Sequence, residues 1–343
     1  MIQIFSGSTA DEVWRKAASA VLVSPVNTGR GGETTERIHA VLSLTDPLAR
    51  WVSIRKPPLN PAFALVEVIW MLSGRRDAAM LTFWNPRLPR FVGTDSELHG
   101  AYGWRLRKHF GIDQLSRAVH ALRADPRSRQ VVLQIWDPKE DLPTDLGAPA
   151  NQDIPCNTSS YLKIRNGRLE WLQIMRSSDV FLGTPHNFVQ FTVLHEMIAG
   201  LLEVDLGHYD MVVDSLHIYA DRTADVADSV NTGEALVGKL PRFGVSQAAW
   251  PTTLRTLERL VEALLIAESD QTLLAALTEG RALPADWPAA VAVIAADAAR
   301  RKNLKGAMLS AEAGCSNDLL LRLWERWRDS RETFSKHVAS AAL

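Results

Sequence analysis

Only two cysteines occur in 343 residues, Cys156 and Cys315. Two thiols so far apart exclude a disulfide scaffold and a cysteine-rich zinc site, and they point to a reducing, cytoplasmic setting. The chain has almost no net charge: 38 Lys+Arg stand against 39 Asp+Glu. Without a broad positive field, binding of nucleic acid through its phosphates is not expected. Charged residues interrupt every apolar stretch well short of the roughly 18 residues a membrane span needs. Residues 1–20 have no basic segment ahead of an apolar core, so a signal peptide is not expected. Repeats and low-complexity linkers are absent too, and neither His186 nor His195 has partners at metal-ligand spacing, so no metal is expected. What is present is a 46% hydrophobic composition, enough for a sizeable core in one large domain or two.

The pattern along the chain predicts an α/β (α+β) protein. A helix is expected over 11–22, a strand over 38–44 and an apolar helix over 62–72 that carries a single acid, Glu67. Residues 84–103 read as a long loop rich in Pro, Gly and aromatics, of the kind that is often functional. A β-branched run covers 131–136. Strands at 158–165 and 168–175 flank Asn166-Gly167, the strongest short hairpin signal. A helix over 187–203 and a strand over 208–219 follow. Beyond residue 245 the composition shifts to Ala, Leu, Glu and Arg, with helices expected over 253–277, 289–301 and 317–335. The division is therefore a catalytic unit of residues 1–245 and a helical C-terminal extension of 246–343. The Gly-rich run from Asn27 to Gly32 could approach a phosphate, but it lacks the Lys-Ser/Thr ending of a P-loop and reads equally well as a surface turn.

A lone cysteine is more often a small buried hydrophobe than a nucleophile. The company of Cys156 changes that balance. Pro155-Cys156 stands just before the hairpin, and Arg176-Ser177-Ser178-Asp179 closes the second hairpin strand. That segment runs on through Val180-Phe181-Leu182-Gly183-Thr184-Pro185-His186-Asn187 into a helix, and His217-Ile218-Tyr219 puts two polar rings on one face of a strand. With Asp125-Pro126-Arg127-Ser128-Arg129-Gln130, the loop Leu98–Arg105 containing Tyr102, and the Glu67 helix, these pieces resemble thymidylate synthase and its pyrimidine-nucleotide hydroxymethylase relatives, in order and at similar spacing.

That resemblance implies a mixed sheet with surrounding helices, a homodimer, and two ligands: a pyrimidine nucleoside monophosphate and 5,10-methylenetetrahydrofolate. It implies that Cys156 adds to carbon 6 of the pyrimidine, that Glu67 manages protons through ordered water, and that Tyr102 removes the carbon-5 proton. Arg176 and Ser177 would hold the 5′-phosphate, with Arg30 nearby and Arg129 reaching the partner's nucleotide. Asn187 would read the base, and His217 and Tyr219 the sugar. Asp179, Leu182, Gly183 and Trp84 would face the folate. Tyr102 and Trp84 could instead be ordinary packing aromatics, the less favoured reading, while His186 and His195 read as surface or satisfied core histidines, and Trp324/Trp327 as a packing pair.

Departures from the synthase pattern bear on the product. Asn157 stands where the synthases carry His, His186 where an aromatic is expected before Asn187, Met175 where Gln is expected, Gln130 for the second phosphate arginine, and Asn27 for the early one. Residues 246–343 replace the short apolar closing tail. Asn157 and the changed tail lean toward capture of a methylene intermediate by water, hence hydroxymethylation over methylation. The base is nearly level between uracil, which Asn187 read literally favours, and cytosine, toward which the reading leans slightly if the amide flips. A Cys-His hydrolase using Cys156, His217 and Asp179, and a catalytically idle nucleotide-binding homologue, are the rival readings.

Overall fold

A computed structural model describes residues 2–29 and 32–341. Seven strands, β1 (Gln3–Gly7), β2 (Val26–Gly29), β3 (Gly32–Leu44), β4 (Val132–Gln134), β5 (Asn157–Arg165), β6 (Arg168–Asp179) and β7 (Asp205–Tyr219), form one sheet. Its order is β1-β3-β7-β6-β5-β4, with β2 paired to β3. The β1–β3 and β6–β7 pairs are parallel and the others antiparallel, so the sheet is mixed. The Asn166-Gly167 turn is a hairpin as expected: both residues have positive φ, 52° and 74°, the geometry that matches strand twist. The parallel β6–β7 register sets Asp179 opposite His217 and Ser177 opposite Ser215. Two polar segments distant in sequence therefore share one end of the sheet. Asn27–Gly29 and Gly32 belong to the paired ends of β2 and β3, with Gly29 opposite Gly32; Arg30 and Gly31 lie outside the described residues.

Two helices apolar on nearly every side pack together at the centre of the fold, Pro61–Leu72 and Gly183–Leu202. Asn60 caps the first by accepting from Ala62 N and Phe63 N. Every residue of that helix is buried except Glu67, which is half-buried.

Beyond residue 245 five helices follow, Trp250–Ile266, Asp270–Gly280, Trp287–Arg301, Lys305–Ala313 and Asp318–Ala341. The single helix expected over 253–277 is two, because Ser269 and Thr272 form a reciprocal capping box that starts a new one. Helices at Gln114–Ala124, Thr223–Thr232 and Lys305–Ala313 were not expected, and the 131–136 run yields only the short strand β4. The 84–103 segment contains a one-turn helix, Pro89–Val92.

Trp287–Arg301 is buried for most of its length and packs on Pro61–Leu72. Its Asp297, fully buried, pairs with Arg300 and Arg301 at 2.8 Å each and accepts from Asn60 Nδ2 at 3.3 Å. Arg301 in turn donates to the carbonyl oxygens of Phe83 and Trp84. The C-terminal helices are thus tied to the first turn of the helix that carries Glu67. Trp324 and Trp327 pack against each other at 5.4 Å, as expected of a packing pair. Among the described residues no helix is long and apolar enough to cross a membrane.

Candidate active site

Cys156 precedes β5 and is half-buried. The loop that presents it is pinned from β6: Arg176 Nε donates to Pro155 O at 2.9 Å and Nη2 to Ile154 O at 3.0 Å, while Nη2 lies 3.7 Å from Cys156 Sγ. Burial pushes the thiol above its ordinary range, and the Arg176 cation is the main force pulling it back. Arg176→Ala is therefore expected to slow alkylation of Cys156 by iodoacetamide about three- to tenfold at neutral pH, because the thiolate loses its nearest cation. An unchanged alkylation rate would separate Arg176 from the thiol electrostatically.

Tyr102 reaches the same place from the start of a short helix, Tyr102–Trp104, that runs on into a π-helical turn, Arg105–His109. Gly103 lets that helix approach the Glu67 helix, since a Cβ there would lie 2.1 Å from Met71 O. Gly100 N donates to Asp153 Oδ2 at 2.8 Å, joining the tyrosine loop to the segment just before Cys156. The Tyr102 hydroxyl lies beside the Asn157 side chain and the Cys156 backbone, and burial pushes it well above the usual phenol range, with both of these neighbours opposing the rise. Asn157, fully buried, donates from Nδ2 to Asn187 Oδ1 at 3.2 Å; its own Oδ1 has no partner. Arg176, Cys156, Tyr102, Asn157 and Asn187 thus form one connected chain.

A second group occupies the ends of β6 and β7. Ser177 Oγ lies 3.4 Å from His217 Nδ1, and the His217 ring meets Tyr219 edge-on at 5.0 Å. Asp179 Oδ1 accepts from Phe181 N at 2.6 Å and Leu182 N at 2.8 Å, ordering the turn into the Gly183 helix, while Oδ2 is buried without a partner. Burial raises the Asp179 carboxyl, opposed by those backbone donors, His217 and Arg55.

Other expected positions lie differently. Trp84 is 1% exposed and packs edge-on against Phe83 at 4.9 Å. Arg129 is exposed and has no polar partner among the described residues. His195 is a core histidine, as one of its two expected readings had it, but only half satisfied: its Nε2 lies 2.5 Å from Leu169 O, its buried Nδ1 has no hydrogen-bond partner among the described residues, and burial pushes the ring down to about 4.

Two residues had not been assigned to the site. His186, read as a surface or core histidine, lies with Nδ1 2.6 Å from Glu67 Oε2; its place beside Asn187, where an aromatic was expected, was the available signal. Arg55 sits 4.0 Å over the Phe181 ring within reach of Asp179 and Asp225, and burial pushes it down to about 10. No motif marks it.

Set beside known proteins, the chain matches the family model described as thymidylate synthase over residues 40–250. The chain belongs to the thymidylate synthase family. Its relatives include the deoxyuridylate hydroxymethyltransferase of Bacillus phage SP01, 31% identical over 230 residues, which are 63% of this chain and 59% of that one. A protein of the same name from Pseudomonas phage M6 is 35% identical over 174 residues, 49% of this chain and 48% of the relative. A putative thymidylate synthase of Methanothermobacter marburgensis is 27% identical over 226 residues, 65% of this chain and 95% of that protein. The chain matches about half to three-fifths of the length of the two phage relatives. Membership accounts for the mixed sheet and for the order of the pieces around Cys156.

Proposed function

We propose that the chain catalyses folate-dependent 5-hydroxymethylation of a pyrimidine nucleoside 5′-monophosphate, with deoxyuridylate ranked ahead of CMP and dCMP. The observation that carries this reading is a pair of buried polar atoms near Cys156 with no hydrogen-bond partner among the described residues, Asn157 Oδ1 and Asp179 Oδ2, together with the ion pair of Glu67 Oε2 and His186 Nδ1 beside Asn187. A buried polar group without a partner costs about 1–3 kcal/mol, so such a cluster suits a polar ligand and water better than a dry, closed pocket.

In this reading Cys156 adds as thiolate to carbon 6 and makes carbon 5 nucleophilic, with Arg176 favouring the thiolate. When bound, methylenetetrahydrofolate supplies the one-carbon unit. The free Asp179 Oδ2 fits an N–H of its pterin, with Leu182 and Gly183 forming the adjoining turn. Tyr102, beside Asn157 and the Cys156 backbone, relays the carbon-5 proton: its oxygen accepts that proton as its own hydroxyl proton passes to water. Water then captures the exocyclic methylene.

Asn157 engages one lone pair of Asn187 Oδ1. That leaves the Asn187 NH₂ for a position-4 oxygen and the second lone pair for the ring N–H, the pattern of uracil. The names of the phage relatives agree, and for these reasons deoxyuridylate moves ahead of the cytidylate toward which the sequence leaned. Arg176 and Ser177 take the phosphate, His217 and Tyr219 the sugar, and Arg30 remains assigned to the same phosphate. A cytoplasmic homodimer is part of the proposal: free Arg129 adjoins β4, and Ile4, Val132 and Tyr161 leave exposed apolar surface on the sheet. The division into residues 1–245 and 246–343 belongs to the proposal as well.

The test is incubation with methylenetetrahydrofolate and each of CMP, dCMP, UMP and dUMP. The expected products are a 5-hydroxymethyl nucleotide, one oxygen heavier than its 5-methyl counterpart, and tetrahydrofolate, with dUMP consumed fastest. Dihydrofolate appearing in step with nucleotide consumption would instead make the enzyme a thymidylate synthase. That second reading is favoured by the archaeal relative, nearly all of whose length is matched.

A further inference from the structure

Glu67 and His186 come from different helices and meet at their buried edges. Glu67 is the only residue of Pro61–Leu72 that is not fully buried, and His186 lies in the first turn of Gly183–Leu202, next to Asn187. Oε2 and Nδ1 are 2.6 Å apart, yet their angles are not those of a hydrogen bond, and neither atom has another partner among the described residues. A pair that served only to join two helices would gain most by aligning that bond. This one is close but unaligned, which suits two groups sharing a third.

The side chains keep 16% and 20% exposure, although Oε2 and Nδ1 themselves are closed off from solvent. The accessible parts are therefore the rest of the carboxylate and of the imidazole. The ring also packs edge-on against Phe63 at 5.2 Å, so it fills the place of an aromatic while adding nitrogen chemistry to the pocket.

We propose that Glu67 and His186 together bind and deprotonate the water molecule that becomes the hydroxyl of the product. This rests on the hydroxymethylation reading and names the residues that perform its last step. The water oxygen bonds to the exocyclic methylene carbon as its proton passes to the Glu67–His186 pair. The methylene double-bond electrons move into the ring toward the position-4 oxygen. Their return re-forms the C5–C6 double bond and expels the Cys156 thiolate. One water is consumed, one proton is left on the pair for release to solvent, and no oxidant or reductant takes part. General-base assistance of this kind is worth roughly 10²–10⁴ in rate.

The test compares two rates on dUMP tritiated at carbon 5, in the wild type, His186→Phe and His186→Gln. Tritium release reports loss of the carbon-5 proton, which precedes water capture; mass spectrometry reports the hydroxymethyl product. In the wild type the two rates should match. His186→Phe should keep tritium release within about threefold while product falls about 100-fold, because the methylene then returns its carbon to the folate more often than it meets activated water. His186→Gln, with a donor and an acceptor at similar reach, should recover part of the product. Binding of dUMP without folate should stay within about threefold in both variants, which registers intact folding; if the Phe variant does not fold, the Gln variant alone must raise the ratio of release to product above one. A ratio that stays at one in the folded variants overturns the assignment of His186 and leaves hydroxymethylation standing. A wild type that makes 5-methyl nucleotide and dihydrofolate overturns the hydroxymethylation reading itself, and this inference with it.

Discussion

Cys156→Ala is expected to lower turnover by at least about 10⁴-fold while nucleotide binding stays within about tenfold. The thiol is the one atom in the site able to form a reversible bond to carbon 6, and without that bond carbon 5 is too weak a nucleophile to accept the one-carbon unit. Binding rests on other groups: the Arg176 guanidinium keeps its anchors on the carbonyls of Ile154 and Pro155 when its contact with sulfur is lost, and the Asn157–Asn187 contact does not involve the thiol. Turnover and binding should therefore separate cleanly. Steady-state rates and a nucleotide titration of the same preparation measure both. Full activity in the alanine variant would remove the covalent mechanism and with it every role assigned around Cys156. Loss of binding in parallel would show that the substitution disturbed the loop.

Asp297→Ala is expected to destabilise the protein by about 3–5 kcal/mol, the usual cost of removing one partner from a buried ion pair. Three groups depend on this carboxylate: Arg300, Arg301 and the side chain of Asn60. Asn60 caps the Glu67 helix, and Arg301 holds the carbonyls of Phe83 and Trp84, so the loss should spread from the C-terminal helices into the catalytic unit. For a chain of this size the melting temperature should fall by roughly 4–7 °C. Thermal unfolding followed by circular dichroism measures it. An unchanged melting temperature would mean that the C-terminal helices ride on the core without supporting it.

The same Asp297 cluster shows where sequence reading reached its limit. The amphipathic character of the C-terminal segments was legible from their periodicity, as were the apolar helix around Glu67 and the Asn166-Gly167 hairpin. The break at Ser269 was missed because a capping box of Ser and Thr interrupts no hydrophobic pattern. That the last helices lie on the Glu67 helix could not be read at all. No local signal pairs Asp297 with Asn60, which are distant in the chain and joined only by packing.

At the site, the sequence by itself singled out the candidate residues: Cys156 beside Asn157, the Arg176–Asp179 segment, Asn187, and His217 with Tyr219. Each stands on a short motif whose spacing survives without a structure. Only the tertiary structure decided which of them meet. The parallel β6–β7 register sets Asp179 against His217, and Gly103 admits Tyr102 to the cysteine loop. The packing of two apolar helices brings Glu67 to His186 and turns an apparently ordinary histidine into a partner of the carboxylate. It also buried Trp84, the residue the family resemblance placed near the folate. The physical reason is that motif spacing encodes local backbone geometry, whereas the partner of a side chain across a core is set by how all the apolar faces pack at once.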